Sequence, residues 1–118
     1  MSSVTIRQSF TRGVAPASTL EAAARDVLAE LDDPTSEASA TAAGAGIDPA
    51  ELAGARVEIS EVRQGLDPIV TPIIVGITVS AGSKIAESLW NDVLWPRIRR
   101  RLGKDALGSP SAPPEEVA

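Results

Sequence analysis

Residues 69–82, IVTPIIVGITVSAG, are the most apolar run in the chain, and the fold depends on the secondary structure that they adopt. Most of their apolar side chains are β-branched, which favours a strand. Apolar residues on every side are equally typical of a buried helix, and Asp67-Pro68 is a good helix start. Pro72 fits either a sheet edge or the first turn of a helix. We interpret the run as a buried helix, or as one broken near Gly82, since two successive long elements would cover a small sheet.

The same run is short for a membrane span. It has 14 residues and contains Pro72 and Gly76, whereas a helix needs about 20 apolar residues to cross a bilayer. The first residues, MSSVTIRQSF, lack the basic start and the apolar stretch of a secretory signal. The absence of cysteine fits a reducing compartment. We therefore expect a cytoplasmic location.

Upstream of the run, residues 18–31 have the spacing of an amphipathic helix. Its apolar face is formed by Leu20, Ala24, Val27, Leu28 and Leu31. Ser18 and Glu21 have the spacing of a capping box, in which the serine accepts from the backbone and the glutamate reaches back. Asp33-Pro34 ends the helix.

Two segments alternate apolar and polar residues with the period of a half-buried strand. In residues 2–9, Val4 and Ile6 share one face, and in residues 55–62, Val57 and Ile59 do. The sequence therefore predicts two strands that each place one face on a core.

Residues 35–46, TSEASATAAGAG, separate the helix from the second strand and are almost all small. Such a stretch buries too little apolar area to offset its ordering entropy, which predicts a flexible loop. The alternative is a weak alanine helix, which Gly44 and Gly46 disfavour. Asp48-Pro49 then begins a single short turn that Gly54 closes.

Residues 83–102 are predicted to form the last helix. The apolar stripe of this helix consists of Ile85, Leu89, Val93, Ile98 and Leu102. Pro96 should kink the helix, and Gly103 is well placed as its C-terminal cap. Residues 105–118 end in SPSAPPEEVA, a proline-rich acidic tail that is predicted to be disordered.

Together these elements predict an α+β fold. We expect one small two-layer domain over residues 1–104, with two or three strands covered by two longer helices and with residues 35–46 as its flexible loop. A sheet of this size leaves edges open, so pairing with a partner or with a second copy is expected.

The composition removes most catalytic chemistry. The chain has no histidine and no cysteine, which are the usual general base, metal ligand and thiolate nucleophile. Zinc sites and Ser-His-Asp or Cys-His arrangements need these side chains. Asp32-Asp33 lies at a predicted helix end and Glu115-Glu116 lies in the predicted tail, so neither pair supports acid–base catalysis. We predict a non-catalytic protein without catalytic, metal-binding or cofactor-binding residues.

Residues 76–84, GITVSAGSK, resemble a phosphate-binding loop only superficially. The Walker pattern is G-x-x-x-x-G-K-[ST]. Here five residues separate the glycines, and Ser83 precedes Lys84 instead of following it. We interpret the segment as a tight turn or a small-residue contact between helices.

Basic side chains concentrate at the end of the predicted last helix. Residues 69–104 contain six basic and two acidic side chains, although the whole chain has a net charge of −5. The candidate interaction residues are Trp90, Trp95, Arg97, Arg99, Arg100 and Arg101.

Three interpretations of this basic cluster are open. Cations at a helix C-terminus complement the helix dipole and keep that end solvated. Tryptophan and arginine beside an apolar face are also typical of an interfacial membrane anchor. The third interpretation is docking to an acidic protein surface, including the chain's own acidic helix. Nucleic acid is the least favoured partner, because the chain is acidic and lacks an interleaved aromatic and basic platform.

The two tryptophans differ in expected role. Trp90 and Trp95 lie about 140° apart on an ideal helix, so they share one buried face only if Pro96 bends the axis. In a chain with only 3% aromatic residues, we expect one tryptophan to be the main packing anchor. An exposed second tryptophan would indicate a binding hot spot.

The order of the predicted elements is strand, amphipathic helix, strand, glycine-punctuated apolar segment and tryptophan-containing helix. This layout resembles the small effector-associated constant component domains of bacterial conflict and signalling systems. The resemblance is carried by residues 55–62 and by residues 65–90, GLDPIVTPIIVGITVSAGSKIAESLW. The resemblance covers roughly two thirds of the chain. Such domains usually continue into another strand after the last helix, whereas here Pro96, the arginines and the tail follow. The resemblance implies a non-catalytic adaptor that couples an effector to a sensor or a protease-like partner, and no functional residue transfers.

The sequence therefore predicts a protein-interaction or adaptor module that binds a protein partner or associates with itself. The alternative is a membrane-associated component that uses residues 69–82 and the terminal helix with its tryptophans and arginines. A third hypothesis is an enzyme subunit that acts through the active site of a partner.

Overall fold

The part of the chain that the structure describes forms a five-stranded antiparallel sheet and a set of short helices. The computed structural model describes residues 3–61 and 72–117. The strands are β1 (Val4–Arg12), β2 (Arg56–Glu61), β3 (Ile73–Val79), β4 (Leu107–Pro110) and β5 (Glu115–Val117). The helices are α1 (Ala17–Glu30), α2 (Glu37–Gly44), α3 (Ser83–Ser88) and α4 (Trp95–Leu102), with a 3-10 turn over Pro49–Leu52 and a π-helical segment over Leu89–Leu94. The predicted α+β class is confirmed, with five strands where two or three were expected.

The apolar run is a strand from Ile73 to Val79, so its interpretation as a buried helix is wrong over these residues. Residues 69–71 of this run lie outside the described residues. β3 pairs with β1 along one edge and with β2 along the other. A central strand of this kind has its backbone satisfied on both sides and packs β-branched side chains well on a pleated surface. β1 is distant in sequence, and the local periodicity of the run does not reveal its pairing with either strand.

The strand order is β2-β3-β1-β4, and β5 also pairs with β1. β1 and β3 are in register from Val4 opposite Val79 to Phe10 opposite Ile73. β4 and β5 therefore occupy the other edge of β1, with β5 beside Thr5–Arg7. The strands predicted over residues 2–9 and 55–62 are confirmed as β1 and β2, with Ser2 and Val62 outside the described residues.

One face of the sheet is buried beneath the helices. Alternate residues of the three longest strands form this face: Ile6, Phe10, Val57, Ile59, Ile73, Val75, Ile77 and Val79. From the helices, Leu20 and Val27 of α1 and Leu89, Leu94 and Ile98 of the last helical stretch pack into the same core with no exposed surface. The core is aliphatic, as the low aromatic content predicts.

α1 is confirmed as an amphipathic helix, but its predicted capping box does not form. The helix begins at Ala17 after Pro16, whose side chain cannot cap it, and the N–H of Ala17 donates to Glu61 Oε1 of β2 at 3.5 Å. The Glu21 carboxylate instead accepts from the backbone N–H of Ile59 at 3.1 Å. This contact covers part of the outer edge of β2, where an unpaired N–H would otherwise offer a template for another strand.

The predicted flexible loop over residues 35–46 contains α2, so the loop prediction is wrong and its alanine-helix alternative is correct. The Ser36 hydroxyl caps the helix by accepting from the N–H of Ser39 at 3.1 Å. Ala38 and Ala42 are buried against the core. Tertiary packing of this alanine face supplies the stability that an isolated helix of 8 residues lacks.

The short turn predicted after residue 48 is confirmed. Asp48 and Glu51 form a capping box around the 3-10 turn Pro49–Leu52. The Asp48 carboxylate accepts from the N–H of Ala50 at 2.9 Å, and the Glu51 carboxylate accepts from the N–H of Asp48 at 2.9 Å.

The last predicted helix is confirmed as one continuous helical stretch from Ser83 to Leu102. Its middle is π-helical, from Leu89 to Leu94, and Pro96 lies in the first turn of α4. Pro96 has no N–H to donate to the preceding turn, and it lies two residues after the π-helical segment ends, where the regular hydrogen-bond pattern already changes. Gly103 ends the helix with a φ of 97°, as predicted for a C-terminal cap.

The chain after the last helix is ordered into β4 and β5, so the prediction of a disordered tail is wrong for residues 107–110 and 115–117. Ala106 and Leu107 are buried, and the N–H of Val14 donates to the carbonyl of Asp105 at 2.8 Å. Pro110 fits this position because an edge strand tolerates a missing N–H. Composition predicted disorder because it does not show that these residues can pair with the edge of β1 that β3 leaves open.

We predict that Gly13→Ala destabilises the protein by about 1–3 kcal/mol. A Cβ on Gly13 would overlap the backbone of Asp105 and Ala106, so the close approach of the tail requires glycine. The measurement is the free energy of unfolding in a denaturant titration.

The matched control is Gly44→Ala, because no atom lies within 4 Å of a Cβ placed there. Alanine in a helix should raise the unfolding free energy by up to about 1 kcal/mol. Equal effects of the two substitutions would contradict the proposed packing of the tail on Gly13.

Candidate interaction surface

The predicted basic cluster is mostly used inside the protein. Arg101 donates from Nη2 to Glu30 Oε1 at 2.6 Å and places Nη1 at 3.5 Å from Asp26 Oδ2. Both carboxylates are on α1, whereas Arg101 is on α4. This pairing attaches the last helix to the first one.

Two further arginines of α4 reach α2. Arg97 Nη1 and Arg100 Nη1 lie 3.9 and 3.7 Å from the Glu37 carboxylate oxygens. Arg97 also donates to the Thr41 hydroxyl at 3.2 Å, and its side chain is only 13% exposed. We call this group the ionic cluster, and its members are Asp26, Glu30, Glu37, Arg97, Arg100 and Arg101.

Part of the ionic cluster corresponds to the third interpretation, since Arg101 docks to the chain's own acidic helix, α1. Arg97 and Arg100 instead pair with Glu37 of α2, a segment that was predicted to be a loop. The three arginines and three carboxylates of the cluster cancel, which leaves the net charge of −5 to the rest of the chain. Arg99 is exposed and makes no ion pair with any residue of the described ranges. Carboxylates of α1 and α2 therefore pair with most of the arginines that were expected to bind a partner.

The tryptophans stack on each other instead of lying apart. Their ring centroids are 6.1 Å apart with an interplanar angle of 19°, and Trp90 also contacts Phe10 at 5.8 Å. A π-helix bonds residue i to residue i+5, so Trp90 and Trp95 lie about one turn apart. The expected 140° separation assumed an α-helix and is wrong here. Trp90 is the buried packing anchor, with 4% exposure, and Trp95 is half-buried.

The surface that remains available is the second face of the sheet, on which none of the described helices lies. Its residues form three rows across the strands. The central row is Glu58, Gly76, Arg7 and Glu115; the rows on either side are Ser60, Ile74 and Ser9, and Arg56, Thr78, Thr5 and Val117. The Thr5 and Thr78 hydroxyls are hydrogen-bonded at 2.8 Å. We call this surface the open face.

A groove of about 620 Å³ lies on the open face. It is lined by the first two of these rows together with Ala112 and Pro113 of the tail, and Gln8. Gly76 lies in the middle of the central row, with Glu58 on one side and Arg7 on the other.

Neither the backbone conformation nor a close contact in the described residues requires glycine at position 76. Its φ is not positive, and a Cβ there would meet its nearest neighbour, the carbonyl oxygen of Glu58, at 3.7 Å, an ordinary contact. Glycine weakens a strand, and it often marks a place where a ligand or another backbone approaches closely. The glycine at the centre of the groove therefore indicates a surface that is approached from outside.

Sequence reasoning did not find this surface. The alternation in β1 and β2 already placed Arg7 and Glu58 on polar faces. Their position beside Gly76 became visible only when the apolar run was shown to be the strand between them.

Comparison with protein-family models, curated proteins and solved structures gave no match. Among the helices of residues 3–61 and 72–117, none combines the length and the apolar character needed to cross a bilayer.

We predict that Arg101→Ala lowers the unfolding free energy by about 1 kcal/mol. The substitution removes two ion pairs and leaves the Glu30 carboxylate, whose Oε2 is buried, without its cation. Denaturant unfolding at low salt measures the effect, which should shrink in about 1 M salt because of screening.

Arg99→Ala is the matched control, since it removes the same side chain two positions away on the same helix. It should change the unfolding free energy by no more than about 0.5 kcal/mol. If the two variants lose the same stability, the ionic cluster does not hold α4 in place.

Proposed function

We propose that this chain is a non-catalytic protein-interaction module that binds a protein partner across the open face of its sheet. The observation that carries the proposal is Gly76, which stabilises a central strand poorly and has room for a Cβ. A close approach from outside explains why a side chain is absent there.

The chemistry of the open face defines the kind of partner. Glu58 and Arg7 flank Gly76, and Glu115 lies beyond Arg7. The rest of the lining consists of two hydroxyls, one amide and three apolar side chains, namely Ser9, Ser60, Gln8, Ile74, Ala112 and Pro113. A partner surface that carries acidic and basic side chains together complements this pattern, because opposite charges across an interface fix its register and exclude other partners.

The resemblance to effector-associated constant component domains implies the same kind of role, an adaptor in a bacterial conflict or signalling system. The proposal places the protein in the cytoplasm, which its cysteine-free composition fits. The membrane-associated alternative has less support. Its arginines are largely engaged in the ionic cluster, and Trp90 is buried.

We predict that Gly76→Thr stabilises the fold and abolishes partner binding. A β-branched residue in this central strand should raise the unfolding free energy by about 0.5–1 kcal/mol. The same side chain fills the floor of the groove. The measurements are denaturant unfolding and capture of proteins by the immobilised chain from a lysate of the cells that produce it.

Gly44→Ala is the control, because it also raises stability but lies on α2, away from the open face. Proteins retained by the unsubstituted chain and by Gly44→Ala should be lost with Gly76→Thr. If Gly76→Thr retains the same proteins as the unsubstituted chain, the open face is not the binding surface.

A further inference from the structure

We propose that the open face binds a second copy of this chain, with the two sheets packed face to face around a twofold axis that lies between them, parallel to β3 and directly above Gly76. The proposal rests on the proposed function and names the partner. Its basis is the charge pattern of the central row, in which the Glu58 carboxylate and the Arg7 guanidinium lie on opposite sides of Gly76, with Glu115 beyond Arg7.

The register gives the two charges equivalent positions. Glu58 and Arg7 are the pairing partners of Gly76 on its two sides, so each lies about 4.8 Å from it, the spacing of adjacent strands. A twofold axis along β3 exchanges the two sides of the row. It therefore places Arg7 of one copy above Glu58 of the other, and the pair forms twice in the dimer.

The alternative twofold axis, perpendicular to the strands, is disfavoured by the same charges. It would not exchange the two sides of the row. Arg7 of one copy would then lie above Arg7 of the other, and Glu58 above Glu58. Like charges in contact are unfavourable, so the charge pattern selects the axis along β3.

The other rows are compatible with this arrangement. Ile74 and Thr78 are on β3 and so lie on the axis, where each meets its own copy. Ser60 of one copy faces Ser9 of the other, since both are register partners of Ile74. An aliphatic contact on the axis with hydroxyls and ion pairs beside it is self-complementary, which an isologous interface requires.

Gly76 has a direct role in this dimer. Stacked sheets lie about 10 Å apart, and the side chains between them determine how closely they approach. A glycine on the axis meets the glycine of the other copy, so the long side chains of Arg7 and Glu58 can reach across on both sides.

The test is a charge exchange measured by analytical ultracentrifugation over about 1 µM to 1 mM protein. The unsubstituted chain should show a concentration-dependent dimer. Arg7→Glu and Glu58→Arg should each raise the dimer dissociation constant by about tenfold or more, because each places like charges together twice. The double variant Arg7→Glu/Glu58→Arg should restore dimerisation to within about threefold, since it rebuilds both pairs with the charges exchanged.

Lys84→Glu makes the same change of charge on α3, outside the open face, and should leave the dissociation constant unchanged. Circular dichroism checks that each variant is folded, which is expected because Arg7, Glu58 and Lys84 are all exposed. A dimer that the single variants do not weaken, or that the double variant does not restore, would refute this arrangement.

A chain that stays monomeric at every concentration also overturns the dimer, and the capture experiment then decides the broader proposal. If Gly76→Thr still removes a captured protein, the open face binds a different protein and only the self-pairing fails. If Gly76→Thr changes neither capture nor mass, the proposed function fails as well.

Discussion

The pairing of β1 with β3 is the interaction on which the rest of the structure depends. Seven consecutive register pairs, from Val4 opposite Val79 to Phe10 opposite Ile73, join the first strand to the central one. They bring Ile6 and Phe10 onto the same buried face as Ile73 and Ile77, where the helices pack. β4 and β5 pair with the other edge of β1, so the regular structure of the last residues depends on the position of β1.

Much of the fold could be predicted where the information is local. The alternation in residues 4–6 and 57–59 predicted two strands, and the apolar spacing from Leu20 to Val27 predicted α1. Residues 73–79 could not be assigned in this way, because apolar residues on all sides fit a central strand and a buried helix equally well. The strands β4 and β5 could not be predicted either, since their pairing partner is about 100 residues away in the sequence.

The candidate site shows the same division. The sequence identified the arginines of α4 as unusual, and one of its interpretations, docking to the chain's own acidic helix, describes Arg101, whereas Arg97 pairs with α2. It placed Trp90 and Trp95 on different faces because α-helical spacing was assumed, and the π-helical segment brings them together. The residues of the open face are brought together by strand pairing, so the sequence alone could not show that Gly76 lies between Glu58 and Arg7.

The long separation between β1 and β3 also affects how the chain reaches its native state. Val4 and Val79 are 75 positions apart, so closing that loop costs chain entropy before the pairing repays it. Proteins dominated by such distant contacts fold slowly, in milliseconds to seconds, compared with helical proteins of the same size. Until β3 is in place, β1 has neither of its neighbours, and its exposed backbone edge is the part of the chain most vulnerable to wrong pairing during folding.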